Sequence, residues 1–418
     1  MIKPFHKRIA HHVRNYHKRI TKYLYERDTI LATAWIFIFI LFVKIIPFHN
    51  IHFFDPMKLA LEDFDINDII FSKAKDPDKF DNRIVIINIG HADREGLAYI
   101  IEKAASMEPK VIGLDAFFDG PKEAFKDSLL RSVFKKTKNL VAVSRINVNS
   151  EEWKHHSEGS FRKDYFDSSH TMTGFANLTG EEGGTIRHIS PYEKIDDSIH
   201  YSFAAMLVKQ YSQAAFEKLK RRHDHNEIIN YTRRNDQYEI FGAERLLNDE
   251  VDESYIKGKI VLLGYIGADE NDIEDKFFTP MNQKFAGKSI PDMNGIVIHA
   301  NMISMILDKN YINKLPLWIV ILVAVLIGWL HMSFFIHYYL ENHIWFHLVA
   351  KLAQLISAIA FLYLGGIFLF DKFRIKLDMS LTIIVIVLAV DIIYFYEAFA
   401  VWLHKKWGYK TVFHQKHH

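Results

Sequence analysis

Cysteine is absent from the 418 residues of the chain. Its absence excludes disulfide bonds, thiolate metal sites and catalysis by a cysteine nucleophile. The sequence also lacks a phosphate-binding glycine loop, a zinc signature and a Ser-His-Asp ordering of the kind that hydrolases use. We therefore predict a protein that is not an enzyme and that holds no cofactor or metal.

Long apolar runs are the most prominent feature of the sequence. The mean hydropathy of −0.03 averages these runs with the polar region between them. A helix needs about 20 apolar residues to cross the hydrocarbon core of a bilayer. The runs predict four transmembrane helices, one N-terminal and three C-terminal, at 29–47, 316–338, 344–370 and 379–403. No small-residue cleavage pattern follows Ile46, so the first run is interpreted as a retained anchor.

Basic residues determine the predicted orientation. Residues 1–28 contain eight Lys or Arg and two acids, and the tail 404–418 contains four Lys and no acid. Basic flanks stay cytoplasmic, so both termini are expected inside a bacterial inner membrane, with 48–315 in the periplasm. The loop 371–378 carries three basic residues and opposes this orientation, but the N-terminal bias is stronger.

The segment 1–28 also has a helical pattern of apolar positions at steps of three and four: Phe5, Ile9, Val13, Tyr16, Ile20 and Leu24. This pattern predicts a basic amphipathic helix on anionic lipid, and a cytosolic extension of the first membrane helix explains it equally well. Because the basic residues lie on a membrane flank rather than a folded face, nucleic acid is not an expected partner.

Between the apolar runs, strand patterns alternate with helix patterns. Short apolar runs predict strands at 83–89, 111–114, 140–145, 228–231 and 259–263. Helical spacing predicts helices at 94–107, 121–135, 198–219 and 297–308, with a long polar loop at 148–170. The expected fold class is an α/β extracytoplasmic domain with a largely parallel sheet. Its expected core contains Val85, Ile87, Val111, Leu114, Val141, Val261 and Leu263.

Several phrases of this region carry a family resemblance. In chain order they are DFD at 63–65, DNRIVIINIG at 81–90, KVIGLDAFF at 110–118, GFAN at 174–177, GTIRHISP at 184–191, SFA at 202–204, GKIVLLG at 258–264, TP at 279–280 and GIVIHAN at 295–301. Together they resemble the type-two CHASE sensory domain, the extracytoplasmic sensor of many bacterial cyclases and histidine kinases. The resemblance covers about 60–315, and its last group is the most specific.

The resemblance implies one membrane helix before the sensor and three after it, as the hydropathy also predicts. Relatives place a kinase or cyclase after the last helix, whereas 15 residues follow Leu403 here. We therefore expect a stand-alone form without an output domain, whose output comes from partner proteins. The Pro-Gly that usually precedes the last helix of the family reads Asn294-Gly295.

Polar residues near strand ends and at the start of the last helix are candidate contacts for a ligand or a partner, because open α/β sheets bind ligands beyond the carboxyl ends of their strands. The candidates are His91, Asp115, Asp119, Asp269, Asp272 and His299. Each candidate also has a purely structural explanation. The acidic loop 269–275 matches no EF-hand and is interpreted as solvated, Asp115 can cap a turn, and His299 can be a structural helix residue.

Ionisable residues within the membrane runs are costly and are usually paired or functional. They are His331, Lys351, Asp391 and Glu397. Helical depth predicts a Lys351–Glu397 ion pair in the bundle interior with His331 beside it. Asp391 is expected either to bond Ser357 or to contact another subunit.

Three functions remain open. The first is a sensor-like subunit of a larger complex, whose outer domain binds a ligand or an envelope protein. The second is a structural docking subunit, because a fold alone does not determine function. The third, less favoured, is an ion-coupled energising component that uses Asp391 or Glu397.

Overall fold

The computed structural model describes residues 23–45, 80–147, 160–167, 171–178, 184–195, 197–222, 224–267, 272–282, 290–341 and 343–416. The chain divides into two compact units, one formed by Ala60–Ile312 and the other by Met1–Leu59 with Asn313–His418. Most of the predicted amphipathic segment 1–28, much of the predicted loop 148–170, and Asp269 lie outside the described residues.

A largely parallel sheet is the centre of the first unit. Its strands are β1 (Ile84–Asn88), β2 (Val111–Leu114), β3 (Leu140–Asn147), β4 (Ser160–Arg162), β5 (Met172–Phe175), β10 (Glu239–Gly242) and β11 (Ile260–Gly264). The order is β10-β1-β11-β2-β3-β4, and β5 also pairs with β3. All these pairings are parallel except that of β3 with β4. The predicted α/β fold class with a largely parallel sheet is confirmed.

Helices cover both faces of the sheet. They are α2 (Arg94–Ser106), α3 (Ala124–Lys136), α4 (Phe203–Tyr211), α5 (Gln213–Lys220), α6 (Ala243–Leu247) and α7 (Gly295–Asp308). α2, α3 and α6 share one apolar core with alternate strand residues. α4 and α7 pack on the other face, where Gly113 and Gly264 leave room for Phe203 and Ile296. Strands covered on both faces are apolar throughout, which is why short apolar runs identified them. All seven predicted core residues are fully buried.

Short antiparallel pairs complete this unit: β6 (His188–Ile189) with β9 (Glu227–Ile228), β7 (Tyr192–Ile195) with β8 (Ser198–Tyr201), and β12 (Lys276–Phe277) with β13 (Met293–Asn294). The single helix predicted over 198–219 is wrong. Its first residues form β8, and the rest divides at Ser212, whose hydroxyl accepts from the amide of Ala215 and starts a new helix.

Among its described residues, the second unit contains four helices long and apolar enough to cross a membrane: α1 (Arg27–Ile45), α8 (Leu317–Glu341), α9 (Phe346–Phe373) and α10 (Ser380–Trp407). A short parallel pair joins β14 (Asn313–Lys314) to β15 (Ile375–Lys376). α10 continues through His404, Lys405 and Lys406, about one turn beyond the predicted end at Leu403.

The predicted pairing of ionisable groups in this bundle is wrong. Lys351 Nζ lies 3.8 Å from Asp391 Oδ2, and both side chains are more than half exposed. Glu397 is buried and accepts a 2.6 Å hydrogen bond from the Tyr339 hydroxyl. Ser357 bonds His331 rather than Asp391, at 2.7 Å.

Helix register explains this error. The Tyr394 hydroxyl lies 3.1 Å from His347 Nε2 across antiparallel α9 and α10, so Lys351, one turn further along α9, faces Asp391. The predicted pair requires Leu403 of α10 to lie level with Trp345 before α9, whereas the observed register places Glu397 at about that level.

Candidate functional site

The carboxyl ends of β1, β2 and β11 meet at one edge of the sheet and arrange the loops that follow them. Asn88 ends β1 and organises this edge through its side chain. Its Nδ2 donates to the Gly267 carbonyl at 2.9 Å, and its Oδ1 accepts from the amides of Gly90 and Ile266, each at 3.1 Å. Asn88 therefore has a structural role: it holds the loop after β11 against the end of β1.

Two carboxyl groups face each other at this edge. Asp115 follows β2, and its amide donates to the Leu263 carbonyl at 2.8 Å. Desolvation by surrounding protein raises the pKa of Asp115 to about 6, although Arg145 partly opposes the shift. Asp275 is exposed as a whole residue. Protein atoms nevertheless crowd its carboxyl group, and this desolvation, followed by repulsion from Asp115, raises its pKa to about 7. The two carboxyls therefore retain protons at a higher pH than ordinary aspartates do.

The first turns of α7 form the other side of this site. The amide of Gly295 donates to the Asp275 carbonyl at 3.0 Å. The Asp275 Oδ2 atom lies only 3.1 Å from where a Cβ of residue 295 would be, so glycine allows this close approach. His299 follows Gly295 by four residues and lies on the same face of the helix. Asp275 thus contacts the first residue of α7, and His299 lies one turn further along that helix.

Two buried side chains on these turns have unsatisfied polar atoms. Both amide atoms of Asn294 and the Nδ1 atom of His299 have no hydrogen-bond partner among the residues that the structure describes. Asn294 is fully buried and His299 is 3 % exposed. Burial lowers the pKa of His299 to about 4, although a hydrogen bond with the backbone of Ala176 partly opposes the shift. The imidazole is therefore neutral at pH 7. Buried polar atoms are normally satisfied, so these three are available to a ligand or to water.

We define the carboxyl-edge site as Asp115, Asp275, Asn294 and His299. Two of these, Asp115 and His299, were predicted from the sequence. Asp275 belongs to the acidic loop 269–275, which the sequence pattern led us to interpret as solvated, and Asn294 was noted only as a departure from the family. Nothing local in the sequence shows that β12 and β13 bring the two residues to the same helix start. The Asn294-Gly295 departure from the family's Pro-Gly was the available signal.

The remaining sequence candidates lie elsewhere. His91 is exposed, 3.5 Å from the Tyr265 hydroxyl, and that hydroxyl donates to Asp272 Oδ2 at 2.6 Å. His91 and Asp272 therefore share a solvated cluster on the rim of the edge. Asp119 pairs with Arg162 at 2.8 Å and is exposed. Within the described part of the chain, no group of three or more His, Asp or Glu residues is arranged to hold a metal ion.

A buried polar network occupies the far end of α7. The carboxylate of Asp81, just before β1, accepts from Arg83 at 2.6 Å and from the Ser304 hydroxyl at 2.7 Å. Asp308, the last residue of α7, pairs with Arg83 at 2.7 Å and with Arg233 at 3.1 Å. Burial tends to raise the pKa of Asp81, but the hydrogen bonds from Arg83 and Ser304 outweigh it and lower the pKa. α7 thus has open polar groups at its start and satisfied ones at its end.

A family model described as the CHASE2 domain matches residues 68–333, which is more than half of the chain. The chain belongs to the CHASE2 family. No curated protein and no solved structure matches it.

The CHASE2 assignment confirms the resemblance that the sequence phrases carried. CHASE2 is a family of extracytoplasmic sensory domains. Its match covers the whole sheet, both helix layers and the start of α8. The carboxyl-edge site therefore lies within the CHASE2 domain, at the sheet edge where α/β folds usually bind ligands.

A cavity of about 280 Å³ in the CHASE2 domain lies away from this edge, between the last turns of α2 and α3. Its lining includes Glu102, Val133 and Asn139. The Asn139 side chain donates to the Pro109 carbonyl at 2.9 Å, so its amide is already engaged. The cavity is a second place in the domain where a small molecule would fit.

Proposed function

We propose that the chain is a non-enzymatic sensor subunit that binds a small polar ligand at the carboxyl-edge site of its CHASE2 domain. The observation that carries the proposal is the pair of buried side chains, Asn294 and His299, whose polar atoms lack partners among the described residues. Leaving such atoms unsatisfied costs free energy, and a ligand that bonds them recovers it. A sensory family and an unsatisfied buried site together favour ligand binding.

The chemistry of the site indicates the class of ligand. Neutral His299 and the Asn294 amide offer both donors and acceptors. Because the pKa values of Asp115 and Asp275 are raised to about 6 and about 7, one of these carboxyls can be protonated near neutral pH and can then donate a hydrogen bond. Such a mixed set suits an uncharged or zwitterionic molecule with hydroxyl, amide or amino groups better than a strong anion.

α7 offers a route from the ligand to the membrane. It begins at the carboxyl-edge site and ends at Asp308, in the network with Asp81, Arg83 and Arg233. Only residues 309–316 separate it from membrane helix α8. A ligand that orders the first turns of α7 would shift the population of α7 conformers, and the covalent connection would pass that shift to α8.

We further propose that the CHASE2 domain lies in the periplasm and that the helices span the bacterial inner membrane. The eight basic residues of 1–28 and the basic tail favour this orientation. The output is proposed to come from partner proteins that contact the bundle.

A thermal-shift screen on the purified full chain in detergent tests ligand binding. The panel would contain amino acids, polyols, sugars and nucleosides. For a stabilising compound, Asn294→Leu and His299→Phe should each raise the dissociation constant about tenfold, the equivalent of one or two hydrogen bonds. His225→Phe, a change at an exposed histidine of the same domain, is the matched control and should leave binding unchanged.

Two results would contradict the proposal. One is a compound that binds both site variants, correctly folded, as tightly as the parent. The other is a protein that responds to no small molecule but copurifies with an envelope protein, a result that favours the structural docking subunit instead.

A further inference from the structure

The Lys351–Asp391 pair lies within the apolar length of two membrane helices. Asp391 lies 11 residues after Ser380 and 12 before Leu403 (391 − 380 and 403 − 391). At 1.5 Å per residue it is about 16 Å from one end of this apolar segment and about 18 Å from the other. The Gln354 side chain donates to the carbonyls of Ile386 and Val387 at 2.6 and 2.8 Å, which fixes α9 against α10 at this level. On α9, however, Lys351 is only five residues after Phe346 (351 − 346), about 8 Å from the start of that helix. The pair therefore lies inside the apolar length of both helices, about one turn from the contact between Tyr394 and His347.

The pair also faces outward. The Lys351 and Asp391 side chains are 57 % and 58 % exposed, whereas Glu397, on the same helix, is buried and bonded to Tyr339. Ionisable groups that face lipid at this depth are costly, and such residues in membrane proteins almost always face protein or water. A lysine can extend toward the interface, but the short side chain of Asp391 cannot. The bundle alone therefore leaves this pair in an unfavourable environment.

Apolar residues surround the pair along one stripe of α10. The exposed residues of this stripe recur, with Asp391 among them, at steps of three to four along most of the helix: Ile384, Val387, Phe395, Ala398 and Trp402. Leu355 continues the exposed apolar surface on α9. A polar pair within an apolar stripe is the pattern of a helix–helix interface in a membrane, where polar residues hold the helices together.

We propose that this stripe is the contact surface for a second copy of the chain. Lys351 and Asp391 lie side by side at one depth, so the patch is self-complementary. A two-fold axis along the membrane normal preserves depth and places Lys351 of each copy against Asp391 of the other. The result is a ring of four alternating charges with no net charge. A different partner would need an equal and opposite charge pair at the same depth, and a single charge on a partner helix would leave an unbalanced group in the membrane.

Crosslinking in native membranes tests this contact, and the absence of cysteine gives a clean background. Val387→Cys places a thiol on the stripe one turn from Asp391. Leu330→Cys is the matched control, because Leu330 is equally exposed on α8 but is not part of the stripe. A short bis-maleimide should convert Val387→Cys to a crosslinked homodimer and leave Leu330→Cys monomeric. Equal crosslinking at both positions, or a Val387→Cys adduct with a different protein, would overturn the proposal.

Charge exchange tests the role of the pair itself. In reconstituted bilayers, Asp391→Lys or Lys351→Asp alone should raise the dimer dissociation constant by roughly tenfold or more, as expected for lost interhelical polar bonds. The double exchange Lys351→Asp with Asp391→Lys rebuilds the four-charge ring and should restore dimerisation. Thermal unfolding would show whether each single variant is folded. If both are folded and neither weakens the dimer, the charge ring is contradicted.

Discussion

The Asp28 carboxylate accepts a 2.6 Å hydrogen bond from the Tyr396 hydroxyl, which joins the start of α1 to α10. Asp28 also accepts from Tyr409 at 2.9 Å, from the Thr411 hydroxyl at 3.0 Å and from the amide of Val412 at 2.7 Å. The polypeptide after α10 therefore folds back onto the bundle. In the sequence, Asp28 is one of two acids in a basic flank, and nothing local predicts this role.

Asp28→Ala should destabilise the bundle strongly. It removes the acceptor of four hydrogen bonds and leaves buried donors unsatisfied, at a cost of about 3 kcal/mol. Unfolding of the full chain by SDS in mixed micelles, followed by circular dichroism, measures the change. Asp371→Ala, at an exposed acid of the same unit, should change the unfolding free energy by under about 0.5 kcal/mol. Equal stability of the two variants would show that the tail does not hold α1.

The stabilisation of the CHASE2 domain by Asp115 and Asp275 should fall as pH rises from about 5 to about 8. His299, whose pKa is lowered from 6.5 to about 4, opposes this fall below about pH 6.5, so the loss of stability should be clearest above that pH. Asp115 and Asp275 have folded pKa values of about 6 and about 7, above the ordinary 3.8, so the folded state holds protons more tightly. The stabilisation from these protons is complete below about pH 3.8 and is lost as pH rises through the folded pKa values.

Asp275→Asn should reduce the loss of unfolding free energy over this pH range by about 1 kcal/mol. The effect is smaller than the full pKa shift implies, because solvent screens the exposed Asp275. Thermal unfolding across the pH range measures it. Asp119→Asn removes an exposed charge and serves as the control. If the unfolding free energy of Asp275→Asn depends on pH as steeply as that of the parent, the Asp275 carboxyl does not have a raised pKa.

The proposed topology predicts opposite labelling of the two units. A cysteine at Ser106, on the surface of α2, should react with an impermeant maleimide in intact spheroplasts. A cysteine at Lys410, in the tail, should react only after lysis. Both positions are exposed, so access to the reagent is limited by the membrane alone. Labelling of both in intact spheroplasts, or reversed labelling, would contradict a periplasmic CHASE2 domain.

The sequence predicted the four central strands of the sheet, β1, β2, β3 and β11, because they are almost wholly buried and apolar. It did not predict β4, β5 and β10, which are only partly buried. Val111–Leu114 was predicted with its observed bounds, since polar residues flank a wholly apolar run. β6 and β12 are two-residue strands, and their pairing depends on partners distant in sequence, so no local pattern reveals them.

The candidate site was predicted only in part for the same reason. Asp115 and His299 follow from strand-end and helix-start positions. Asp275 reaches them through the β12–β13 pairing, which no spacing rule encodes. In the membrane, the Lys351–Glu397 prediction assumed that the adjoining ends of α9 and α10 lie at one level. The observed register instead places Lys351 opposite Asp391, six residues from Glu397, because α10 extends past the start of α9.

Hydrogen–deuterium exchange on the full chain, with and without a compound from the thermal-shift screen, tests the central claim most directly. The account predicts slower amide exchange in the first turns of α7, around Asn294 and His299, and a change in residues 309–316 that lead to α8. Protection confined to Glu102, Val133 and Asn139, around the cavity between α2 and α3, would contradict it. In that case neither the carboxyl-edge site nor α7 would take part in sensing.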